Sequence, residues 1–211
     1  NSILVKTRAV SEPGQIVQLY VRDKQSPYQG TTWPSYVDFR ERNGVFSGLA
    51  AYNVGWQMRL GGTDGVDQVG GEVVSGNFFD VLGVRSQLGR TFLAEEDEVP
   101  GRNPVVVIGH ALWQRRFASD SAIIGRSVTI NNQPFSIVGV LPPSFTGMNS
   151  GWSTEMWVAV NASPLLEPAR AGVMLTRNAS WLIMVGRLVP GARLDQARAR
   201  FDLLSAEMQR E

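Results

Sequence analysis

Apolar and polar residues alternate between residues 15 and 22, with Val17 and Leu19 on one face, and this period of two predicts a strand. A helix pattern follows at residues 31–42, where Pro34 lies in the first turn and an Asn-Gly pair ends the helix. We therefore expect a strand followed by a helix in the N-terminal part of the chain.

The next part of the pattern predicts a hairpin and a short helix. Residues 49–60 and 66–74 resemble strands and flank a glycine-rich turn at 61–65. Ser75 is the predicted N-cap of a helix whose Phe and Leu residues form an apolar face, and Gly83 is its predicted C-terminal stop. The predicted order up to this point is β-α-β-β-α.

Residues 84–165 have a different texture, because short elements alternate with Gly, Pro and Asn. The predicted elements are a buried strand at 104–108, a helix at 109–117, a turn capped by Asp120, and a hairpin formed by 126–130 and 134–141. Asn131 and Asn132 tolerate the positive φ of a tight turn between those two strands. This pattern predicts a small β-rich region.

The C-terminal part returns to the earlier order. Residues 181–188 are apolar on both faces, which is typical of an interior strand, and a helix follows. The apolar stripe of that helix consists of Leu194, Ala197, Phe201, Leu204 and Met208. We therefore predict an α+β fold of two lobes, in which residues 1–83 and 166–211 form one discontinuous β-α-β lobe and residues 84–165 form an inserted β-rich lobe.

Composition excludes several classes of function. The chain has 211 residues, of which 43% are hydrophobic and 18% charged, as in ordinary globular proteins. Its 20 basic and 19 acidic residues leave a net charge of +1, which gives no electrostatic case for nucleic-acid binding. The absence of cysteine excludes disulfides and thiolate sites. The longest apolar runs, such as residues 181–185, are far shorter than the roughly 20 residues of a membrane-spanning helix, and we expect neither such a helix nor a signal peptide.

Candidate catalytic groups are few. His110 is the only histidine and lies at a predicted helix start, so a structural role is favoured over catalysis or zinc binding. Residues 95–98 are acidic but lack the D-x-D-x-D-G spacing of a calcium loop, which favours a solvated loop. Asp64, Asp67 and Glu72 suggest a carboxylate pair, although turn chemistry explains Asp64. We predict no catalytic, cofactor-binding or metal-ligating residue.

Two other patterns suggest ligand binding. The glycines at 61–65 lack the G-x-x-x-x-G-K-[ST] pattern of a phosphate-binding loop, so nucleotide binding is disfavoured. Six tryptophans could line a ligand surface. Trp113 and Trp181 lie in periodic segments and are predicted to pack in the core, whereas Trp152 and Trp157 are the predicted surface candidates.

Several ordered blocks carry a resemblance to a known family. Residues 74–85 read V-S-G-N-F-F-D-V-L-G-V-R, residues 88–92 read L-G-R-T-F with E-E-D soon after, and residues 112–117 read L-W-Q-R-R-F. Together with residues 135–145, this order closely resembles the MacB-like periplasmic core domain of ABC transporter permeases of the MacB/FtsX type. The resemblance covers nearly the whole chain.

The resemblance implies a non-catalytic periplasmic, and so extracytoplasmic, domain of an inner-membrane permease that lies between the first two membrane helices. It implies a porter-like discontinuous lobe with an inserted sabre-like lobe. The expected partners are the membrane helices of the same permease, an ATPase subunit or domain, a periplasmic adaptor protein and a second copy of the permease. No cofactor and no nucleic acid is expected.

The function expected from the resemblance is to couple ATP-driven movement of the membrane helices to export or to a periplasmic partner. Residues 74–98 are then interpreted as a hinge between the lobes. The alternative is a module that captures a ligand or a peptide between the two lobes, with Trp152 or Trp157 in contact with it.

Overall fold

A computed structural model describes residues 2–4, 10–21, 29–62, 65–148 and 153–208 of the chain. The strands are β1 (Ser2–Leu4), β2 (Ile16–Leu19), β3 (Phe46–Gly62), β4 (Gly65–Val74), β5 (Leu88–Gly89), β6 (Val105–Ile108), β7 (Ser127–Ile130), β8 (Gln133–Val140), β9 (Met156–Ala159) and β10 (Ile183–Leu188). The α-helices are α1 (Trp33–Arg42), α2 (Phe78–Leu82), α3 (His110–Phe117), α4 (Ser163–Leu166), α5 (Ala171–Met174) and α6 (Leu194–Met208).

All these strands belong to one sheet. β1, β2, β10, β3 and β4 lie side by side in antiparallel pairs, so that β10 lies between two strands from the N-terminal part. β4 pairs in parallel with β9, which is followed in the sheet by β6 and β8. β7 pairs with both β8 and the end of β3, and this closes a circuit of six strands.

Strand β3 takes part in both the open sheet and the closed circuit. Its register against β4 shifts between Asn53 and Trp56, where Gly55 has a φ of 85°. A bulge of this kind bends a strand and increases its twist. The part of β3 before the bulge pairs with β10, and the part after it pairs with β7. One strand therefore connects the two halves of the sheet.

Alternate strand residues enter two hydrophobic clusters. In β9, for example, Val158 belongs to the first cluster and Trp157 to the second. The first cluster takes side chains from every strand of the circuit and from α1 and α6, where Phe39 stacks on Phe201 with ring centroids 4.6 Å apart. The second cluster is smaller and includes the buried residues of α2.

The structure confirms most of the predicted elements. The first helix is α1, in which Thr32 is the N-cap and accepts a hydrogen bond from the Ser35 backbone. Asn131 and Asn132 turn the β7–β8 hairpin with φ values of 49° and 67°. The predicted interior strand at 181–188 is β10, which has neighbours on both sides.

The predicted N-cap at Ser75 is wrong, because α2 begins at Phe78 and Asn77 occupies the N-cap position. Gly83 does end the helix, with a φ of 67°. The mixed helix and strand character is confirmed. The division into lobes at residues 83 and 166 stays a prediction, and β3 and β4 pair with strands from both predicted lobes.

Candidate functional site: a packed junction and two clefts

The signature block, residues 74–92, begins with a buried polar network beneath α1. Ser75 Oγ accepts a hydrogen bond from the β3 backbone at 3.0 Å and donates one to Asn77 Oδ1 at 2.7 Å. Asn77 Nδ2 donates to Leu49 O at 2.9 Å, and Tyr36 OH lies 3.0 Å from Asn77 Oδ1. Because the buried Ser75 and Tyr36 hydroxyls and the partly buried Asn77 amide are paired with one another, the network fixes α1, β3 and the start of α2 together.

The next part of the signature block forms an aromatic hub around Phe79, which is fully buried. Its ring centroid lies 5.4 Å from Phe78, 5.7 Å from Phe92, 6.1 Å from Phe145 and 6.1 Å from Trp157. These partners come from α2, from the segment after β5, from the loop after β8 and from β9. Phe79 thus joins α2 to three segments of the region between residues 84 and 165.

The C-terminal end of α2 is held by the N-terminal segment and by β10. A Cβ atom on Gly83 would lie 2.6 Å from Ser11 Cβ, so this position requires glycine for space as well as for its positive φ. Arg187 Nε donates to Val81 O at 2.8 Å, and Arg187 Nη2 donates to Ser11 O at 2.8 Å. One arginine of β10 therefore links the helix end to the N-terminal segment.

Two glycines, Gly89 in the L-G-R part of the signature block and Gly139 of β8, allow the backbone segments to approach each other closely. A Cβ atom on Gly139 of β8 would lie 1.9 Å from Arg90 O, and one on Gly89 would lie 2.3 Å from Val138 O. Both neighbours are backbone atoms, which have little room to move away. The short strand β5 can therefore approach β8 only with glycine at these two positions.

The prediction of a solvated acidic loop is wrong for one of its residues. Glu96 is 8% exposed, and its Oε1 and Oε2 accept hydrogen bonds from the Arg90 guanidinium at 2.6 and 2.8 Å. Leu93 N also donates to Glu96 Oε2 at 2.9 Å. The hydrogen bonds to Glu96 raise the pKa of Arg90. Glu95 and Glu98 are exposed, as predicted.

Glu72 of β4 is a fully buried carboxylate in contact with the second cluster. It accepts hydrogen bonds from Met148 N at 3.2 Å, from Thr154 Oγ1 at 2.9 Å and from Trp157 Nε1 at 2.8 Å. Burial raises the pKa of Glu72 above the ordinary carboxyl value, and the three hydrogen bonds oppose this shift. The side chain ties β4 to β9 and to the loop after β8.

The structure does not bring the suggested carboxylate pair together. Asp67 lies 3.4 Å from the Arg116 guanidinium, whereas Glu72 is enclosed by its own hydrogen-bond donors. Asp64 lies outside the described residues. A signal for the burial of Glu72 was present in the sequence, since two valines follow it in a strand.

The other candidate groups take structural positions. His110 begins α3, and its Nδ1 lies 2.7 Å from Gln87 Nε2. The prediction that Trp157 is a surface residue is wrong, because its ring is fully buried in the hub, and Trp152 lies outside the described residues. Trp113 and Trp181 pack against the first cluster, as predicted. Within the described ranges, no group of three or more His, Cys, Asp or Glu residues is placed to hold a metal ion.

Two clefts open on different sides of α1. The junction cleft has a volume of about 340 Å³ and lies between the side of α1, at Trp33, Val37 and Arg40, and the segment with Ala94 and Glu98. The hydroxyl cleft, whose lining includes Thr32, Ser35, Ser180 and Ser205, has a volume of about 460 Å³ and lies next to α1 and α6. Both volumes fall in the range of sites for small ligands. None of the described helices is long and apolar enough to cross a lipid bilayer.

Comparison with known proteins gives a family match over most of the chain. The profile of the MacB-like periplasmic core domain matches residues 4–204. The macrolide export ATP-binding/permease proteins MacB of Shigella dysenteriae and Escherichia coli are each 22% identical over 130 residues, which is 62% of this chain. The matched stretch spans only 19% of those relatives.

Solved structures resemble the fold over nearly its whole length. The periplasmic region of MacB from Actinobacillus actinomycetemcomitans has a TM-score of 0.64 at 14% identity, with 94% of this chain and 86% of that chain covered. The extracellular domain of the noncanonic ABC-type transporter YknZ from Gram-positive bacteria has a TM-score of 0.59 at 14% identity, with 89% and 94% covered. At these identities the likeness concerns the fold.

Proposed function

Because the chain belongs to the MacB-like periplasmic core domain family, we propose that it passes ATP-driven movement of permease membrane helices to export or to a periplasmic partner. In this proposal the domain has no catalytic role and lies outside the cytoplasm. ATP is hydrolysed by a separate domain or subunit. A periplasmic adaptor protein and a second copy of the permease are its further proposed partners.

The observation that carries the proposal is a packed junction, formed by the Ser75–Asn77 network, the Phe79 hub and the Arg187 contacts, on one continuous sheet. Strands β1, β2 and β10 bring the N-terminal and C-terminal parts of the chain next to each other. Arg187 of β10 connects them to α2, and Phe79 connects α2 to β9 and to the loop after β8. If the first and last strands were displaced, the movement would therefore be transmitted to the closed circuit, because in the described part of the chain no flexible segment lies between these strands and the circuit.

This packing favours a rigid body over bending at the signature block. A hinge absorbs movement in a few residues that change φ and ψ, while packed interiors resist deformation. Bending at residues 74–92 would separate the Phe79 ring from its partners and break the Ser75 and Asn77 hydrogen bonds. We infer that the domain transmits movement as a lever, with the junction as its stiff part.

A test uses the full-length parent permease with Phe79→Leu, which loosens the hub while keeping an apolar side chain. The readouts are ATP hydrolysis in isolated membranes and export of erythromycin as the first cargo probe, because the named relatives are macrolide exporters. We expect ATP hydrolysis to continue and export per ATP to fall. Phe117→Leu, on the partly buried surface of α3, is the matched control and is expected to leave both unchanged. Undiminished export with Phe79→Leu would contradict the proposal.

The second candidate function is capture of a peptide or other ligand in the junction cleft. One observation favours it: the cleft offers the Trp33 ring and a residue of each charge, Arg40 and Glu98. These groups suit a peptide with an apolar side chain and mixed charges. Thermal-shift measurements with peptide, lipid and macrolide panels test it, since a bound ligand raises the unfolding temperature. A shift that is lost in Trp33→Ala supports capture, and no shift at saturating ligand excludes it.

A further inference from the structure

The hydroxyl cleft lies on the far side of α1 from the junction. Its polar lining includes the side chains of Thr32, Ser35, Asp38, Arg177, Ser180 and Ser205. They come from the first turns of α1, from the segment before β10 and from α6. Two apolar side chains, Val21 and Phe39, complete a mixed surface that neither the family nor the proposed transmission of movement explains.

The charges in the hydroxyl cleft balance each other. Arg177 Nη2 donates to Asp38 Oδ2 at 2.8 Å, and these two are the charged residues of its described lining. A charged ligand would be attracted by one partner and repelled by the other. A neutral ligand with several hydroxyl groups can donate to the Asp38 carboxylate and accept from the Arg177 guanidinium, because each hydroxyl is both donor and acceptor.

The walls of the cleft are fixed by contacts that do not involve a ligand. Ser180 Oγ donates to Gly30 O at 2.7 Å, and the Thr32 hydroxyl accepts from Ser35 N at 3.2 Å. Phe39 stacks on Phe201, which holds α1 against α6. A site whose walls are already ordered loses less entropy when it binds a ligand.

One polar group in the lining, the Ser205 hydroxyl, makes no hydrogen bond within the described residues, although the side chain is only partly exposed. The second carboxylate oxygen of Asp38 is likewise outside the ion pair, which uses Oδ2. These atoms remain available to a ligand in a cleft that is about 460 Å³ in volume.

We propose that the hydroxyl cleft binds a neutral carbohydrate of one or two rings. The hydroxyl groups of the sugar would bond to Asp38, Arg177 and Ser205, and its apolar C–H face would contact Val21. The site is separate from the junction, so its binding is independent of the proposed transmission of movement.

The test is an NMR titration of the 211-residue chain with D-glucose, N-acetylglucosamine and maltose. D-Glucuronate and D-glucosamine are the charged analogues of glucose. We expect saturable shifts of the Ser35, Asp38 and Ser180 amide signals with the neutral sugars, and weaker binding of both charged analogues. The proposal is overturned by an absence of saturable shifts with all three neutral sugars, by shifts that map elsewhere, or by tighter binding of a charged analogue.

Three variants test whether the named side chains bind the sugar. Asp38→Asn removes a charged acceptor, and we expect roughly tenfold weaker binding of the neutral sugar. Ser205→Ala removes only a hydroxyl without a partner among the described residues, so the fold is kept and a smaller loss is expected. Asp67→Asn is the matched control, because Asp67 pairs with Arg116 outside the cleft. Unchanged sugar binding in both Asp38→Asn and Ser205→Ala would overturn the assignment.

Discussion

The two hydrophobic clusters of the sheet are built differently. The first is broad, takes side chains from every strand of the closed circuit, and is rich in aliphatic residues. The second is smaller, centres on the rings around Phe79, and contacts the one fully buried carboxylate of the described chain, Glu72. Phe78, Phe79 and Phe92 of the signature block all belong to the second cluster. The family signature therefore encodes packing at a junction.

The largest expected effect comes from removing one ring from each cluster. Phe79→Ala empties a position with four aromatic neighbours and should lower the free energy of unfolding by about 4–5 kcal/mol. Phe39→Ala, with one stacked neighbour in the first cluster, should cost about 3 kcal/mol. Urea unfolding of both variants measures the difference. An equal or larger loss for Phe39→Ala would contradict the special role of the hub.

A smaller loss is expected where β5 approaches β8. Gly139→Ala places a Cβ atom within 1.9 Å of Arg90 O, so the two strands must separate, and the free energy of unfolding should fall by about 3 kcal/mol. Gly44→Ala is the control, because its Cβ atom would meet no other atom within 4 Å and should change stability by less than about 0.5 kcal/mol. Equal thermal midpoints for the two variants would show that the close approach is not required.

The ion pair between Arg90 and Glu96 should contribute less to stability than the hub. Glu96→Gln weakens two hydrogen bonds to Arg90 at a nearly buried position and should cost about 1–2 kcal/mol. Glu167→Gln removes an exposed pair with Arg170 and should cost less than about 0.5 kcal/mol. Chemical denaturation at low and high salt distinguishes them. If Glu96→Gln were as stable as Glu167→Gln, the Arg90–Glu96 ion pair would not stabilise the junction.

A further prediction concerns the pH dependence of stability. Because burial raises the pKa of Glu72, its protonated form is favoured in the folded chain, while the unfolded chain ionises Glu above about pH 4.3. The free energy of unfolding should therefore decrease as the pH rises from that value towards the raised pKa of Glu72. Glu72→Gln should lack this pH-dependent contribution. Urea unfolding of both proteins at several pH values above about 4.3 measures the difference. Identical pH profiles for the two proteins would contradict the raised pKa.

The sequence predicts elements that depend on neighbouring residues and misses contacts between distant ones. The helix α1, the Asn131-Asn132 turn and the glycine stop at Gly83 follow from local rules. Ser75 has the composition of an N-cap, but its hydroxyl is engaged by the backbone of β3, a strand more than twenty residues earlier. A local pattern does not contain that partner.

The burial of Trp157 and the closure of the six-stranded circuit were missed for the same reason, whereas Arg90 and Leu93, the hydrogen-bond partners of Glu96, lie within six residues of it. Trp157 is covered by α2 and by the loop after β8, and the circuit closes where Leu60 of β3 pairs with Ile130 of β7. The Phe79–Trp157 contact and the Leu60–Ile130 pair each join segments about seventy or more residues apart. Periodicity identifies which residues are apolar on each strand, but it does not identify the element that covers them.

The most direct test of the rigid junction is a distance measurement across it in the full-length permease. Val37→Cys and Ala94→Cys place two spin labels on opposite sides of the junction cleft, in a domain that otherwise has no cysteine. Double electron–electron resonance then gives the label distance without nucleotide and in the ATP-trapped state. The rigid-body account predicts the same distance distribution in both states. A shift of several ångströms on ATP trapping would contradict it and would place a hinge at the signature block.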